Sequence, residues 1–222
     1  MPLELPAIAI ELPGVTLGIV RAEGVRVELV APALAEEMDA VCARIRSRMT
    51  VEQVAEQEAV RAVRTMFRAW GIDPSRYRPS SEALLRRVTQ GKGLYRVCNV
   101  VDVANLGSIE SGWPFGLYDV SKLSGAITFR HGRAGESYEG IGRQTWHLDG
   151  RPVLADDAGP FGMPISDSTR TMITEAATSI LTVLYAPAGS AHGDIERTMT
   201  RHAELLTRFT GARETLTGIL SR

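Results

Sequence analysis

Short bursts of alternating apolar and polar residues open the chain: Ile8-Ala9-Ile10, Val15-Thr16-Leu17-Gly18-Ile19-Val20 and Val25-Arg26-Val27-Glu28-Leu29. Pro13-Gly14 and Gly24 separate them, so three short strands are predicted. The period then changes. Leu34, Met38, Val41 and Ile45 recur at spacings of three and four, which predicts a helix from Pro32 to Arg48. Thr50 with Gln53 resembles a capping box and opens a second helix that ends at Gly71. Ser80 and Glu82 open a third over about 80–90, closed by Gly91 and Gly93. Val100, Val103, Leu106 and Ile109 outline one face of a fourth near 97–110.

A breaker cluster, Ser111-Gly112-Trp113-Pro114, ends the helical region. Strands are expected at 126–130, 137–141, 153–155 and 180–185, the last a nearly unbroken apolar run ended by Pro187. A closing helix begins near Ser190, carries Ile195, Met199, Leu205, Leu206 and Phe209, and stops at Gly211. Helices and strands without regular alternation indicate an α+β fold.

At 222 residues and 44% hydrophobic, with no repeat or low-complexity tract, the chain suits one domain spanning 1–222. No apolar run approaches the ~20 residues that cross a bilayer. The N-terminal MPLELPAIAIELPG lacks a basic segment followed by a long apolar core, so a cytoplasmic protein without membrane partners is expected. Cys42 and Cys98 lie far apart and outside any zinc spacing; buried or idle thiols are expected, with no metal. No phosphate-binding glycine loop and no Ser-His-Asp grouping stands out, and no cofactor is expected.

The net charge of −1 argues against strong non-specific binding to a polyanion. Its distribution changes the picture. Between Arg44 and Arg96 lie twelve basic residues against five acidic ones, a local excess of seven. Two readings stand: solvated helix faces, of which Arg61, Arg64 and Arg68 form one, or an RNA-facing patch with Arg78, Arg86, Arg87 and Lys92 as contacts.

Two segments carry polar content that packing does not explain. Asn99, Asp102 and Asn105 form a stripe beside the apolar face of the fourth helix. Residues 156–170 hold several turn formers and a dense set of small hydrogen-bonding side chains, Ser166, Asp167, Ser168, Thr169 and Arg170 among them, the composition of a loop that approaches a ligand closely. The same loop reads equally as a tight turn with Asp167 bonding its own backbone. Asp119 fits a cap for the following turn, Glu136 a partner for Arg130 or Arg133, and His147 a structural or exposed histidine.

The run from Asn99 to Gly125, NVVDVANLGSIESGWPFGLYDVSKLSG, resembles the B3/B4 domain of the bacterial phenylalanyl-tRNA synthetase beta chain. Arg78 to Leu85 and Phe161 to Ser168 resemble free-standing B3/B4 proteins, and the likeness covers roughly residues 76–187. It implies a three-layer domain with a central β-sandwich of unusual topology and helices packed outside. Residues 1–75 would be a β/helical N-terminal part and 188–222 a C-terminal helix. In that family the domain is an editing module that hydrolyses misacylated tRNA. The resemblance therefore implies a free-standing editing-like protein that takes the acceptor end of tRNA and an aminoacyl ester, not DNA. Asn99, Asp102, Asn105 and Ser166 to Arg170 would line its pocket. A non-catalytic tRNA- or amino-acid-binding module is the alternative. Nothing resembles the synthetase's catalytic core, so this chain is not a complete phenylalanine-tRNA ligase. Two positions depart from the synthetase pattern: Gly116 where the family has a pocket His, and Leu184 where it has a Glu that reads the hydroxyl of mischarged tyrosine. Gly116 and Leu184 are thus expected on one pocket wall that does not select a hydroxylated side chain.

Overall fold

The computed structural model describes residues 3–142 and 144–222. In chain order the elements are β1 (Ile8–Ile10), β2 (Val15–Glu23), α1 (Pro32–Arg48), α2 (Glu58–Ala69), α3 (Ser80–Thr89), α4 (Asn99–Ser111), β3 (Phe115–Asp119), β4 (Ile127–His131), β5 (Ser137–Glu139), β6 (Thr145–His147), β7 (Pro152–Asp156), β8 (Gly159–Gly162), β9 (Ser179–Pro187), α5 (His192–Thr210) and β10 (Glu214–Ser221). Two four-stranded sheets result, ordered β10-β2-β9-β3 and β1-β4-β7-β8. The first is antiparallel throughout, and β1 runs parallel to β4 in the second.

Strand alternation sorts the first sheet into two apolar faces. Tyr118 and Tyr185 point at the second sheet, where their rings meet Phe161 and Phe129 at centroid distances of 4.8 and 5.6 Å. The opposite face lies under α5: a Cβ at Gly18 would stand 2.9 Å from Met199 Sδ, 3.2 Å from Ile195 Cγ2 and 3.3 Å from Leu184 Cδ2, so only glycine lets the helix this close. The layers are therefore helices, sheet and sheet, an α+β fold with a central β-sandwich. A second small core of Tyr138, Leu148, Val153 and Met163 lies under the β5–β6 hairpin, with Trp146 and Ile165 packed against it.

Several expected elements differ. Residues 25–29 alternate like a strand but run as coil, because their backbone is engaged elsewhere: Val25 N–H donates to Thr178 O, Arg26 N–H to Thr210 O and Glu28 N–H to Asn99 Oδ1. The C-terminal helix stops at Thr210, and 214–221 form β10 along β2. Phe115–Asp119 is a strand despite Pro114 and Gly116, and 159–162, expected as loop, pairs with β7. The start signal at Thr50 is real but local: Thr50 N–H donates to Gln53 Oε1 at 2.9 Å, and a 3-10 turn over 53–56 precedes α2.

Candidate functional site

The polar centre of the molecule is where the loop after β8 meets β3. Asp167 Oδ1 accepts from the Tyr118 hydroxyl at 2.8 Å and Oδ2 from Leu117 N–H at 3.1 Å. The Tyr118 and Tyr185 hydroxyls lie 3.1 Å apart. Burial pushes the Asp167 carboxyl up to about 7 against the pull of its hydrogen bonds, and pushes both phenols well above their ordinary value. Gly116 and Gly162 make room for this cluster: a Cβ on either would stand 2.0 or 2.2 Å from the Tyr118 hydroxyl. Asp167 thus bonds a distant strand.

The remaining loop residues hold the loop in shape. Ser168, almost fully buried, donates its N–H to Phe161 O and accepts from Arg170 N–H at 3.1 Å. Thr169 Oγ1 donates to Glu139 O at 3.2 Å. Arg170 grips Asp156 at 2.8 and 3.2 Å, Gly159 O at 3.0 Å and Lys122 O at 3.1 Å. Ser166 differs. Its carbonyl accepts from the Tyr138 hydroxyl at 2.6 Å, while its own hydroxyl has no hydrogen-bond partner among the described residues and sits in a half-buried position beside Gly140.

The helix stripe lies elsewhere. Asn99 is buried and its amide donates to Arg26 O and Phe209 O and accepts from Glu28 N–H, each at 2.9 Å. Asp102 accepts from Val97 N–H at 3.0 Å, and burial raises its pKa. These bonds tie the start of α4 to the segments around it, which corrects the expectation that Asn99 and Asp102 share a cavity with the loop. Asn105 is half-buried on the same helix. The common wall of Gly116 and Leu184 is also corrected. Gly116 pairs with Val183 and Phe115 with Leu184, so the strand period puts Leu184 on the α5 side and Gly116 on the sandwich side.

Part of the basic excess is internal. Glu82, its side chain fully buried, is gripped by Arg64 and Arg86 at 2.9 Å and approached by Arg78 at 3.5 Å. Removing one of these arginines would leave a buried carboxylate less compensated. Arg86 is therefore a structural residue, which corrects the expectation that reversing its charge spares the fold. Arg87 stacks over Tyr95 at 3.9 Å, and Lys92 is exposed. Asp119 caps Ser121 N–H at 3.0 Å, and Glu136 pairs Arg130 through two contacts of 2.8 Å.

A cleft of about 1140 Å³ opens between α1, α2, the end of α4 and the β9–α5 loop. None of the loop residues lines it, and Arg44 and Arg197 on its rim are paired with Glu110 and Asp194. The loop at Asp167, with its perturbed carboxyl and unengaged hydroxyl, is the stronger site. The tyrosines that build it escaped prediction. The alternation of Gly116 and Tyr118 in 115–119 was the available signal.

Fold and site together define an α+β sandwich domain with a small-residue loop anchored in its seam. The B3/4 domain matches over residues 62–213, and the chain belongs to that family. Similar proteins include the phenylalanine–tRNA ligase beta subunit of Chromobacterium violaceum, 38% identical over 82 residues that cover 36% of this chain and 10% of that protein. That of Streptomyces avermitilis is 29% identical over 134 residues, covering 60% and 16%. An N-terminal fragment of the Pyrococcus horikoshii phenylalanyl-tRNA synthetase beta-subunit aligns over 96% of this chain and 50% of its own, with 14% identity and a TM-score of 0.46. The chain thus spans 10% and 16% of the length of these two curated relatives. No helix among the described residues is long and apolar enough to cross a membrane.

Proposed function

We propose that the chain binds the aminoacyl end of tRNA and hydrolyses mischarged esters. Water adds to the ester carbonyl, the bond to the ribose oxygen breaks, and free amino acid and uncharged tRNA leave. The observation that carries this reading is the Ser166 hydroxyl, unengaged among the described residues in a loop where Asp167, Ser168 and Thr169 are held, and able to orient the water or the ester carbonyl. Asp167 acts through the loop as a positioning residue, since Tyr118 and Leu117 occupy its oxygens. Membership of a family whose similar members are named phenylalanine–tRNA ligase beta subunits supports tRNA as the partner.

A deacylation screen across mischarged tRNAs tests the proposal. The protein is expected to hydrolyse at least one, and Ser166→Ala to lower kcat about tenfold to a hundredfold with an unchanged melting curve. Hydrolysis of none, with tRNA still bound, would establish instead a binding module, which the full engagement of Asp167 favours.

A further inference from the structure

We propose that Tyr77, Arg151 and Trp146 form a stacking platform for the unpaired bases of an RNA 3′ end, a proposal that rests on the tRNA reading above. Arg151 Cζ lies 4.0 Å from the Tyr77 ring centroid and 5.6 Å from that of Trp146, and the two rings are 6.2 Å apart. Arg151 Nε donates to His147 O at 2.8 Å, which holds the guanidinium over Tyr77 and beside Trp146. Arg76, exposed, adds a second cation 5.1 Å from Tyr77. Neither arginine takes part in an ion pair among the described residues, so both charges remain for phosphates.

The platform adjoins the loop. A Cβ at Gly140 would stand 2.7 Å from Trp146 Cδ1 and 3.2 Å from Ser166 Oγ, so indole and hydroxyl flank the same glycine. The hairpin carrying Trp146 is bonded to the loop by Ile141 N–H to Asp167 O at 3.0 Å. An ester carbonyl beside Ser166 would therefore leave its preceding nucleotides next to half-buried aromatic rings flanked by cations. Base stacking on such rings tolerates any sequence. Trp70 and Trp113 are 5% and 8% exposed, which leaves Trp146 as the reporter of a base arriving from solvent.

The test is a fluorescence titration at low salt with a single-stranded RNA ending in CCA. Quenching of Trp146 is expected in the wild-type protein. Trp146→Phe keeps a ring and should bind within about twofold while losing the signal, read by anisotropy of labelled RNA. Trp146→Leu keeps apolar packing but not stacking and should bind about tenfold more weakly; Tyr77→Leu supplies the same comparison should Trp146→Leu melt early. Wild-type affinity in a folded leucine variant, or no quenching of the wild type, overturns the platform. Deacylation by an unquenched wild type overturns the platform alone. Quenching with weakened leucine variants and no deacylation keeps the platform and overturns hydrolysis.

Discussion

Asp167 and His202 act on stability in opposite directions over the same pH range, and the two can be separated. Asp167 lies on the sandwich side of the first sheet; His202 lies on the helix side, bonded to Thr182 Oγ1 at 3.0 Å. Burial holds the Asp167 carboxyl up at about 7, above its unfolded value of 3.8. Its contribution is complete below the unfolded value and is lost as pH rises through 7. Burial holds the His202 imidazole down at about 3, below its unfolded 6.5. That contribution is complete above 6.5 and is lost as pH falls through 3. Each unpaired proton changes stability by ~1.4 kcal/mol per pH unit. Between about pH 4 and pH 6.5 the two slopes cancel, so these groups leave the wild-type curve nearly flat. Asp167→Asn removes the falling slope, and stability should then rise by about 3 kcal/mol across that range; His202→Gln should make it fall by about as much. Loss of hydrogen bonds in either variant shifts the whole curve without tilting it, so the slope isolates the titration. Urea unfolding at three pH values and constant ionic strength measures it. Variant curves parallel to the wild type would refute the assigned burial of both groups.

Other perturbations report on neighbouring parts of the molecule. Leu184→Glu would place a carboxylate against Met199 and Ile195, and should cost about 4 kcal/mol or ionise only at raised pH; a thermal melt unchanged from wild type would contradict the strand register. Arg86→Glu should cost about 3–5 kcal/mol by setting a second carboxylate beside buried Glu82, whereas reversing exposed Lys92 should leave the melt alone and weaken tRNA binding at low salt. Asn99→Ala should cost about 2–3 kcal/mol in urea unfolding, since four backbone groups lose a partner, yet leave deacylation per folded molecule unaltered.

Elements that carry their own signals were legible in the sequence. α1 runs from Pro32 to Arg48 as predicted, because proline suits the first turn and the apolar stripe is regular. The Arg78–Glu82–Arg86 spacing of four is a helix signature, but Arg64 joins from α2, and no local pattern announces a third partner. β3 was hidden by Gly116, which looks like a breaker and is instead the gap that Tyr118 fills. Asn99 misled for a related reason: its polarity serves chain segments far away in sequence, Arg26 and Phe209, where helical periodicity sees only an unexplained stripe. The loop around Asp167 was recognisable by composition, while the role of its carboxyl depended on a strand fifty residues earlier.

The place of β10 has a consequence for synthesis. β2 is synthesised well before both of its neighbours: Val15 pairs with Pro187, and Glu23 with both Ser179 and Glu214. Until then an apolar strand with two bare hydrogen-bonding edges waits on the growing chain, exposed to mispairing with other copies. Closure over so long a separation is slow, and the first sheet is completed only once β10 has left the ribosome. Chain shortened to end after Gly211 would keep α1 to α5 but leave β2 with one open edge, and is expected to collect in aggregates where the chain carrying β10 stays dispersed.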